Sequence, residues 1–173
     1  MELLVFGAGL MGSAAAYDMA RSQQVEAVTL ADSDVKRAKL QATRLNRLVG
    51  GKKIRPAKVD VSSPSAAAKL MRGHDAVLSA VPYFYNLALC KAAIGAGCHF
   101  ADLGGNNTVV RQEHALSKQA EKRGVAGIHP GGRVAAPDGR QGRCAETLRW
   151  GIAERSQAAV FISPDLLSRG VDQ

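Results

Sequence analysis

The decisive stretch of this sequence stands near its start and reads Val5-Phe6-Gly7-Ala8-Gly9-Leu10-Met11-Gly12. A run that is apolar apart from Glu2, residues 2–6, stops at the first glycine, and an alanine-rich run, residues 13–20, follows the last one. Short apolar runs bounded by glycine are typical of buried parallel strands, and alanine favours helix. The stretch therefore predicts a strand, a tight turn and a helix.

The spacing of the three glycines indicates a chemical role for this turn. In G-x-G-x-x-G the first glycine permits a sharp turn, the second leaves space for a pyrophosphate, and the third lets helix and strand pack closely. A diphosphate there meets free N–H groups and the positive end of the helix dipole. We therefore predict a dinucleotide site formed by Gly7, Gly9, Leu10, Met11 and Gly12.

The second predicted strand, residues 28–31, is followed by an acidic residue. Asp32 stands about 20 residues beyond the last glycine, as the dinucleotide-binding fingerprint requires. A carboxylate there accepts hydrogen bonds from an adenosine ribose and repels a 2′-phosphate, which favours NAD over NADP. Two alternatives stay open: Asp32 or Ser33 caps the next helix, or Lys36 or Arg37 holds a 2′-phosphate, which would favour NADP.

Strand and helix patterns continue to alternate along the chain. Further strands are expected at residues 54–59, 75–81, 98–103 and 125–128, and further helices at 33–49, 64–72, 82–94 and 108–123. Pro56 suggests that the third strand lies at a sheet edge. Six strands alternating with five helices predict an α/β fold, a doubly wound parallel sheet of Rossmann type with the first and fourth strands adjacent. Asp60 and Val61, after the third strand, are expected near an adenine.

Composition limits the classes of partner. The 173 residues are 46% hydrophobic, enough for one domain with a core, and only 5% aromatic, which argues against nucleic-acid binding by base stacking. The net charge is +8, and residues 36–58 hold nine Lys or Arg and no acid. No aromatic residue interrupts this block, and much of it falls on the exposed face of a predicted amphipathic helix, so we interpret the block as a solvated face.

Location and metal content are also predicted from composition. No apolar stretch is long enough to span a bilayer, and Glu2 and the glycines argue against a secretory signal, so we expect a cytoplasmic protein. The three cysteines form no even disulfide framework and are expected to be small buried hydrophobes. The four histidines lack metal-site spacing, so no metal is predicted.

Residues 1–128 resemble the cofactor domain of the saccharopine dehydrogenase and lysine 6-dehydrogenase family. The stretches that carry the resemblance are Gly7-Ala8-Gly9-Leu10-Met11-Gly12, Ser79-Ala80-Val81-Pro82-Tyr83-Phe84-Tyr85-Asn86 and His99-Phe100-Ala101-Asp102-Leu103-Gly104-Gly105-Asn106. The resemblance implies hydride transfer between a nicotinamide and an amino-acid C–N bond, with lysine or saccharopine as the type of substrate. It also implies that two turns flank the nicotinamide ribose and ring, formed by Ala80, Val81, Pro82, Tyr83, Leu103 and Gly104.

Two details of the resemblance remain as alternatives. Tyr83 is expected to pack over the cofactor, with proton transfer as the alternative role. Imine and hydroxyacid reductases share the first stretch but fit the other two less well.

The sequence departs from the family pattern after residue 128. Similar proteins continue into a second domain that holds the substrate, whereas residues 131–173 contain six arginines and no lysine and are too few for such a domain. We expect a Rossmann domain at 1–130 and a divergent tail at 131–173, with a helix at 145–154 and an apolar run at 158–162. One hypothesis is a truncated or frame-shifted form of a longer enzyme, and the other is a genuinely short protein.

Two functional classes follow from these observations. The first is the NAD(P)-binding portion of a saccharopine dehydrogenase-like oxidoreductase, inactive without its substrate domain and with no catalytic residue assigned. The second is a non-enzymatic dinucleotide-binding sensor or partner subunit. In either class the apolar surface that a missing domain would leave favours a homo-oligomer.

Overall fold

The computed structural model describes residues 1–104, 106–128, 133–135 and 141–143. A six-stranded parallel sheet has the strand order β3-β2-β1-β4-β5-β6, with helices between the strands. The doubly wound parallel sheet and the neighbouring first and fourth strands are thereby confirmed. The strands are β1 (Glu2–Phe6), β2 (Ala27–Asp32), β3 (Ile54–Lys58), β4 (Ala76–Ser79), β5 (His99–Asp102) and β6 (Gly127–Ile128).

The helices lie close to the predicted segments. A 3₁₀ turn at Tyr83–Tyr85 precedes the fourth of them, where the sequence predicted a helix from residue 82, and the fourth strand ends at Ser79 rather than at residue 81. No helix within the described part is long and apolar enough to cross a membrane. The helices are α1 (Leu10–Arg21), α2 (Val35–Val49), α3 (Pro64–Met71), α4 (Asn86–Ala96), α5 (Asn107–His114) and α6 (Ser117–Lys122).

The central strand β1 is buried on both faces, as its continuous apolar sequence predicts. Leu3 and Val5 belong to the core layer beneath α1 and α2, and Leu4 and Phe6 belong to the layer beneath α3 and α4. Each of the four is at most 1% exposed. Burial of side chains of this size contributes about 1.5–3 kcal/mol each, so the strand that leads into the glycine turn is firmly held.

The edge position predicted for the third strand is confirmed. Among the described strands β3 has one neighbour, β2, and Pro56 lies opposite Leu30 in that pairing. Of the described cysteines, Cys90 and Cys98 are buried as predicted, and burial raises the pKa of both thiols to about 12.

The start of α2 differs from the sequence prediction. The N-cap of α2 is Asp34, not Asp32 or Ser33, because the Asp34 carboxylate accepts the amide hydrogens of Lys36 and Arg37 at 2.9 and 3.2 Å. Asp32 is still within β2, so it cannot cap the helix.

The helix predicted at 108–123 is two helices, α5 and α6. The Leu116 N–H bonds to the carbonyl of Glu113, three residues back, and the Ser117 hydroxyl donates to the His114 carbonyl at 2.6 Å. These bonds replace the regular helical pattern between residues 114 and 117. Leu116 is thereby buried beneath the break.

The tail contains a short antiparallel pair of strands, β7 (Arg133–Ala135) and β8 (Gln141–Arg143). Neither strand was predicted. The helix predicted at 145–154 and the apolar run at 158–162 lie outside the described residues, as does Cys144.

His99 joins β5 to the segment before β6, and we expect it to make stability depend on pH. Its Nδ1 accepts the Ala126 N–H at 2.9 Å, and burial lowers the pKa of the imidazole, with Asp75 partly opposing the shift. Because the unfolded chain binds a proton first, this stabilisation is present above about pH 6.5 and is lost as the pH falls through the lower folded pKa. Thermal unfolding between pH 7.5 and 5 measures the effect.

The matched variant for this prediction is His99→Asn, whose amide oxygen can replace Nδ1 as acceptor and does not titrate. We expect a smaller loss of melting temperature on acidification in the variant than in the wild type. An identical loss in both proteins would show that another group is responsible.

Candidate functional site

The three glycines of the first turn occupy different environments. Gly7 has φ +95°, and a Cβ there would stand 2.6 Å from the carbonyl oxygen of Ala80. A Cβ on Gly12 would overlap the carbonyl oxygen of Gly7, whereas one on Gly9 would meet nothing within 4 Å. The protein's own packing therefore requires glycine at positions 7 and 12. At position 9 it leaves open space, which is where an approaching ligand would need it.

The start of α1 offers unused hydrogen-bond donors. Gly9 is the N-cap and supplies no side-chain cap, and the first helical bond runs from the Ser13 N–H to the Gly9 carbonyl at 2.9 Å. Within the described residues the N–H groups of Leu10 and Met11 have no acceptor. Their side chains are 87% and 58% exposed. Free N–H groups at the positive end of a helix favour an anion.

The Asp32 side chain lies beside the glycine turn and is hydrogen-bonded to its backbone. The residue is only 9% exposed, and its carboxylate accepts the Ala8 N–H at 2.8 Å through Oδ2 and the Asp34 N–H at 2.9 Å through Oδ1. The Ser33 hydroxyl also donates to Oδ1, at 3.4 Å. Since each carboxylate oxygen can accept two hydrogen bonds, capacity remains for a further donor such as a ribose hydroxyl.

The adenine side of the predicted site lies after β3. The Asp60 carboxylate is exposed and accepts the Ser62 hydroxyl at 2.7 Å and the Ser62 N–H at 2.9 Å, hydrogen bonds that lower its pKa. Val61 is half-buried and packs on the core. Among the described residues no hydrogen bond joins Asp60 or Val61 to the glycine turn, and their role at the cofactor stays a prediction.

The two basic residues of the alternative reading lie on the first turn of α2. Lys36 and Arg37 are exposed, and their N–H groups are used by the Asp34 carboxylate. Their side chains form no ion pair with a described residue. This end of the site is therefore compatible with binding of either NAD or NADP.

The turn after β4 packs directly against the glycine turn. The Ala80 N–H donates to the Phe6 carbonyl at 2.9 Å, and the Ala80 carbonyl stands against Gly7. Val81 is half-buried and Pro82 is exposed. Tyr83 is 44% exposed, and its ring meets that of Phe84 edge-on at 5.8 Å. An aromatic surface thus lies one strand away from the free N–H groups.

The turn after β5 completes this edge of the sheet. Leu103 is 37% exposed, and Gly104 adopts φ +71° while donating its N–H to the buried Asp102 carboxylate. Asp102 pairs in register with Ser79, so the turn follows the strand beside β4. Gly105 lies outside the described residues.

Sequence reasoning missed one buried pair at the base of the β4 turn. The Ser79 hydroxyl donates to the Asn86 side-chain oxygen at 2.8 Å, and the two residues are 0% and 2% exposed. Ser79 and Asn86 stand at the two ends of the stretch 79–86 that carried the resemblance. The sequence signal that could have indicated their pairing is the position of two polar residues on either side of an aromatic turn. Within the described residues no group of three His, Cys, Asp or Glu side chains could hold a metal ion.

Comparison with known proteins agrees with this arrangement. The sequence model of the saccharopine dehydrogenase NADP binding domain matches residues 3–128. Apo saccharopine dehydrogenase (L-Glu forming) from Saccharomyces cerevisiae has a similar fold, with TM-score 0.61 and 20% identity, over 86% of this chain and 29% of that chain.

Two further solved structures share the fold. GenD2 from gentamicin A biosynthesis, in complex with NAD, has TM-score 0.56 and 24% identity, over 79% of this chain and 36% of that chain. Citrobacter sp. triphenylmethane reductase, complexed with NADP(H), has TM-score 0.56 and 16% identity, over 77% of this chain and 50% of that chain. The chain thus spans half or less of the length of each of the three solved structures.

Proposed function

Since the chain belongs to the saccharopine dehydrogenase NADP binding domain family and is therefore an NAD(P)-binding domain, we propose that it serves as the cofactor-binding part of an amino-acid dehydrogenase. The observation that carries the proposal is the open position at Gly9 beside unused N–H groups. A pyrophosphate fits there because no side chain fills the approach and the helix end is positive.

We propose that NAD is preferred over NADP. The support is the Asp32 carboxylate, which is fixed by Ala8 and Asp34 and keeps capacity for a ribose hydroxyl. A 2′-phosphate placed there would meet this negative charge, although Lys36 and Arg37 offer opposite charge nearby. Adenine is proposed to lie toward Asp60 and Val61.

We propose that the reaction is oxidation at a C–N bond of a lysine- or saccharopine-type amino acid. A bound nicotinamide supplies the hydride acceptor. The residues of this chain would bind and orient it, with Ala80, Val81, Pro82 and Tyr83 on one side and Leu103 and Gly104 on the other. Tyr83 has an exposed ring suited to packing over the cofactor, and proton transfer is its alternative role.

The chain alone is expected to bind cofactor without turnover. It spans 29% of the yeast saccharopine dehydrogenase chain, and we propose that the amino-acid substrate needs a second domain. Orientation and water exclusion are large contributors to such a step, and we propose that the second domain supplies them. A cytoplasmic location and a homo-oligomer remain predictions.

Calorimetric titration with NAD, NADP and ADP-ribose tests the proposed function. We expect saturable binding of NAD, and weaker binding of NADP. Parallel assays with lysine or saccharopine and NAD should produce no NADH from this chain alone. Absence of dinucleotide binding would overturn the proposal, and turnover by the isolated chain would overturn the need for a second domain.

A non-enzymatic dinucleotide-binding module is the second candidate. The observation that favours it is that the described site residues, the open Gly9 and the fixed Asp32 carboxylate, are suited to binding a dinucleotide rather than to reacting with a substrate. Turnover on addition of a separately produced substrate domain of the same family would support the enzyme. Binding without turnover under those conditions would favour the module.

The Asp32→Ala variant should bind NAD more weakly by about 1–2 kcal/mol, the scale of a hydrogen bond to a charged group. It should also discriminate less against NADP, because the negative charge near the 2′ position is removed. Titration with both cofactors measures the two effects.

The matched control is Asp34→Ala, which removes the N-cap of α2 and so lowers stability by about 1 kcal/mol. It leaves the Asp32 carboxylate in place. We expect the ratio of NAD to NADP affinity to stay near the wild-type value. A stronger NAD preference in Asp32→Ala would contradict the proposed role of Asp32.

A further inference from the structure

A buried hydrogen bond closes the loop between β4 and α4. Ser79 is the last residue of β4, and Asn86 is the first residue of α4. The Ser79 hydroxyl donates to the Asn86 side-chain oxygen at 2.8 Å, and both side chains are at least 98% buried. Buried polar groups cost free energy unless they are paired, so loss of either partner leaves the other unsatisfied. The pair therefore ties the two ends of residues 80–85 together.

The beginning of the same loop is tied to the glycine turn. The Ala80 N–H bonds to the Phe6 carbonyl at 2.9 Å. Gly7 and Gly12 both lie close to Ala80, since a Cβ added to Gly7 would stand 2.6 Å from the Ala80 carbonyl oxygen and one added to Gly12 would stand 3.3 Å from the Ala80 Cβ. Inside the loop the Tyr85 N–H donates to the Pro82 carbonyl at 3.1 Å. The position of this loop relative to the sheet is thus fixed by the contacts of Ala80 with β1 and the glycine turn, and by the Ser79–Asn86 hydrogen bond that joins the two ends of the loop.

The loop carries the largest exposed aromatic surface at this edge of the sheet. Tyr83 and Phe84 are 44% and 61% exposed, and the Phe84 ring also packs against Tyr85 at 4.5 Å. The Asn86 side-chain NH₂ has no acceptor among the described residues. A fixed aromatic loop beside the glycine turn is suited to receive one half of an elongated ligand.

We propose that Ser79 and Asn86 form a positioning pair that holds residues 80–83 at the height required by the nicotinamide half of the cofactor. The proposal rests on the proposed function. Neither residue is a catalytic residue, because both act through the loop. The adenosine half would be bound by the glycine turn and Asp32. The Asp32 carboxylate accepts hydrogen bonds from Ala8, Ser33 and Asp34, and none from Ser79 or Asn86.

The test compares NAD with ADP-ribose, which lacks the nicotinamide, in calorimetric titrations of Ser79→Ala and Asn86→Ala. We expect NAD affinity to fall roughly tenfold, equivalent to about 1.4 kcal/mol, and ADP-ribose affinity to stay within about twofold. The double variant should be no weaker than the weaker single variant, because both substitutions remove the same hydrogen bond. Should the alanine variants fail to fold, Ser79→Cys keeps the size and weakens the donor, and the same selective loss is expected.

The matched control is Leu89→Ala, a fully buried residue one turn further along α4. It should lower the melting temperature without changing the ratio of NAD to ADP-ribose affinity. An equal change for both ligands in the Ser79 and Asn86 variants would show a merely structural role and overturn the proposal. Wild-type protein that binds both ligands equally well would also overturn it while leaving the proposed function intact, whereas binding of neither ligand would overturn both.

Discussion

Replacement of Gly9 by valine should abolish NAD binding while leaving the folded protein as stable as the wild type. A Cβ at this position meets no atom within 4 Å, and the backbone is extended, with φ −75° and ψ −168°, a conformation that valine readily adopts. The added side chain would instead occupy the path of a pyrophosphate to the free N–H groups of Leu10 and Met11. We expect affinity to fall at least about a hundredfold, equivalent to about 2.7 kcal/mol.

Titration calorimetry and thermal unfolding of the same preparation measure the two halves of this prediction. Gly51→Val is the matched control, since Gly51 is also open, lacks a positive φ and stands between α2 and β3, away from the glycine turn. It should bind NAD as the wild type does. Retained NAD binding by Gly9→Val would remove the main support for the site.

Replacement of Gly12 by alanine should destabilise the whole domain. The new Cβ would overlap the carbonyl oxygen of Gly7, a backbone atom that the buried strand β1 holds in place, and it would also approach the Ala80 Cβ at 3.3 Å. Overpacking of a buried site costs typically 1–3 kcal/mol and more where backbone must move. We expect about 3 kcal/mol, which lowers the melting temperature of a chain of this size by roughly 6–12 °C.

The control for this substitution is Gly95→Ala in α4, where a Cβ meets nothing within 4 Å. Alanine there should raise stability by up to about 1 kcal/mol through helix propensity. If Gly12→Ala lowers the melting temperature and Gly95→Ala raises it, the loss at position 12 is due to close packing and not to the general effect of replacing a helical glycine. A Gly12→Ala protein as stable as the wild type would show that helix and strand can separate at this point.

Residues 1–128 could be assigned to elements from the sequence because their patterns are local. All six predicted strands of the main sheet are present, and the apolar run before Gly7 became the central strand. The prediction of one continuous helix at 108–123 was wrong, because the segment forms the two helices α5 and α6. Its break depends on a side-chain bond from Ser117 and on burial of Leu116, which periodicity alone does not reveal.

Long-range contacts account for what sequence reasoning missed in the site. Asp32 was placed correctly at the end of a strand, but its bond to the Ala8 N–H joins residues 24 positions apart. Ser79 and Asn86 were quoted only as part of a resemblance. Their pairing requires a strand and the following helix to be docked before the two side chains meet.

The sequence by itself determined the order of strands and helices, the glycine turn and the acidic residue after it, because strand, helix and turn preferences act between neighbours along the chain. Tertiary structure alone decided which glycine leaves room for a ligand, what the Asp32 carboxylate holds and how the β4 loop is fixed. These properties depend on atoms from distant segments that share the same few ångströms, and only packing of the sheet brings those segments together.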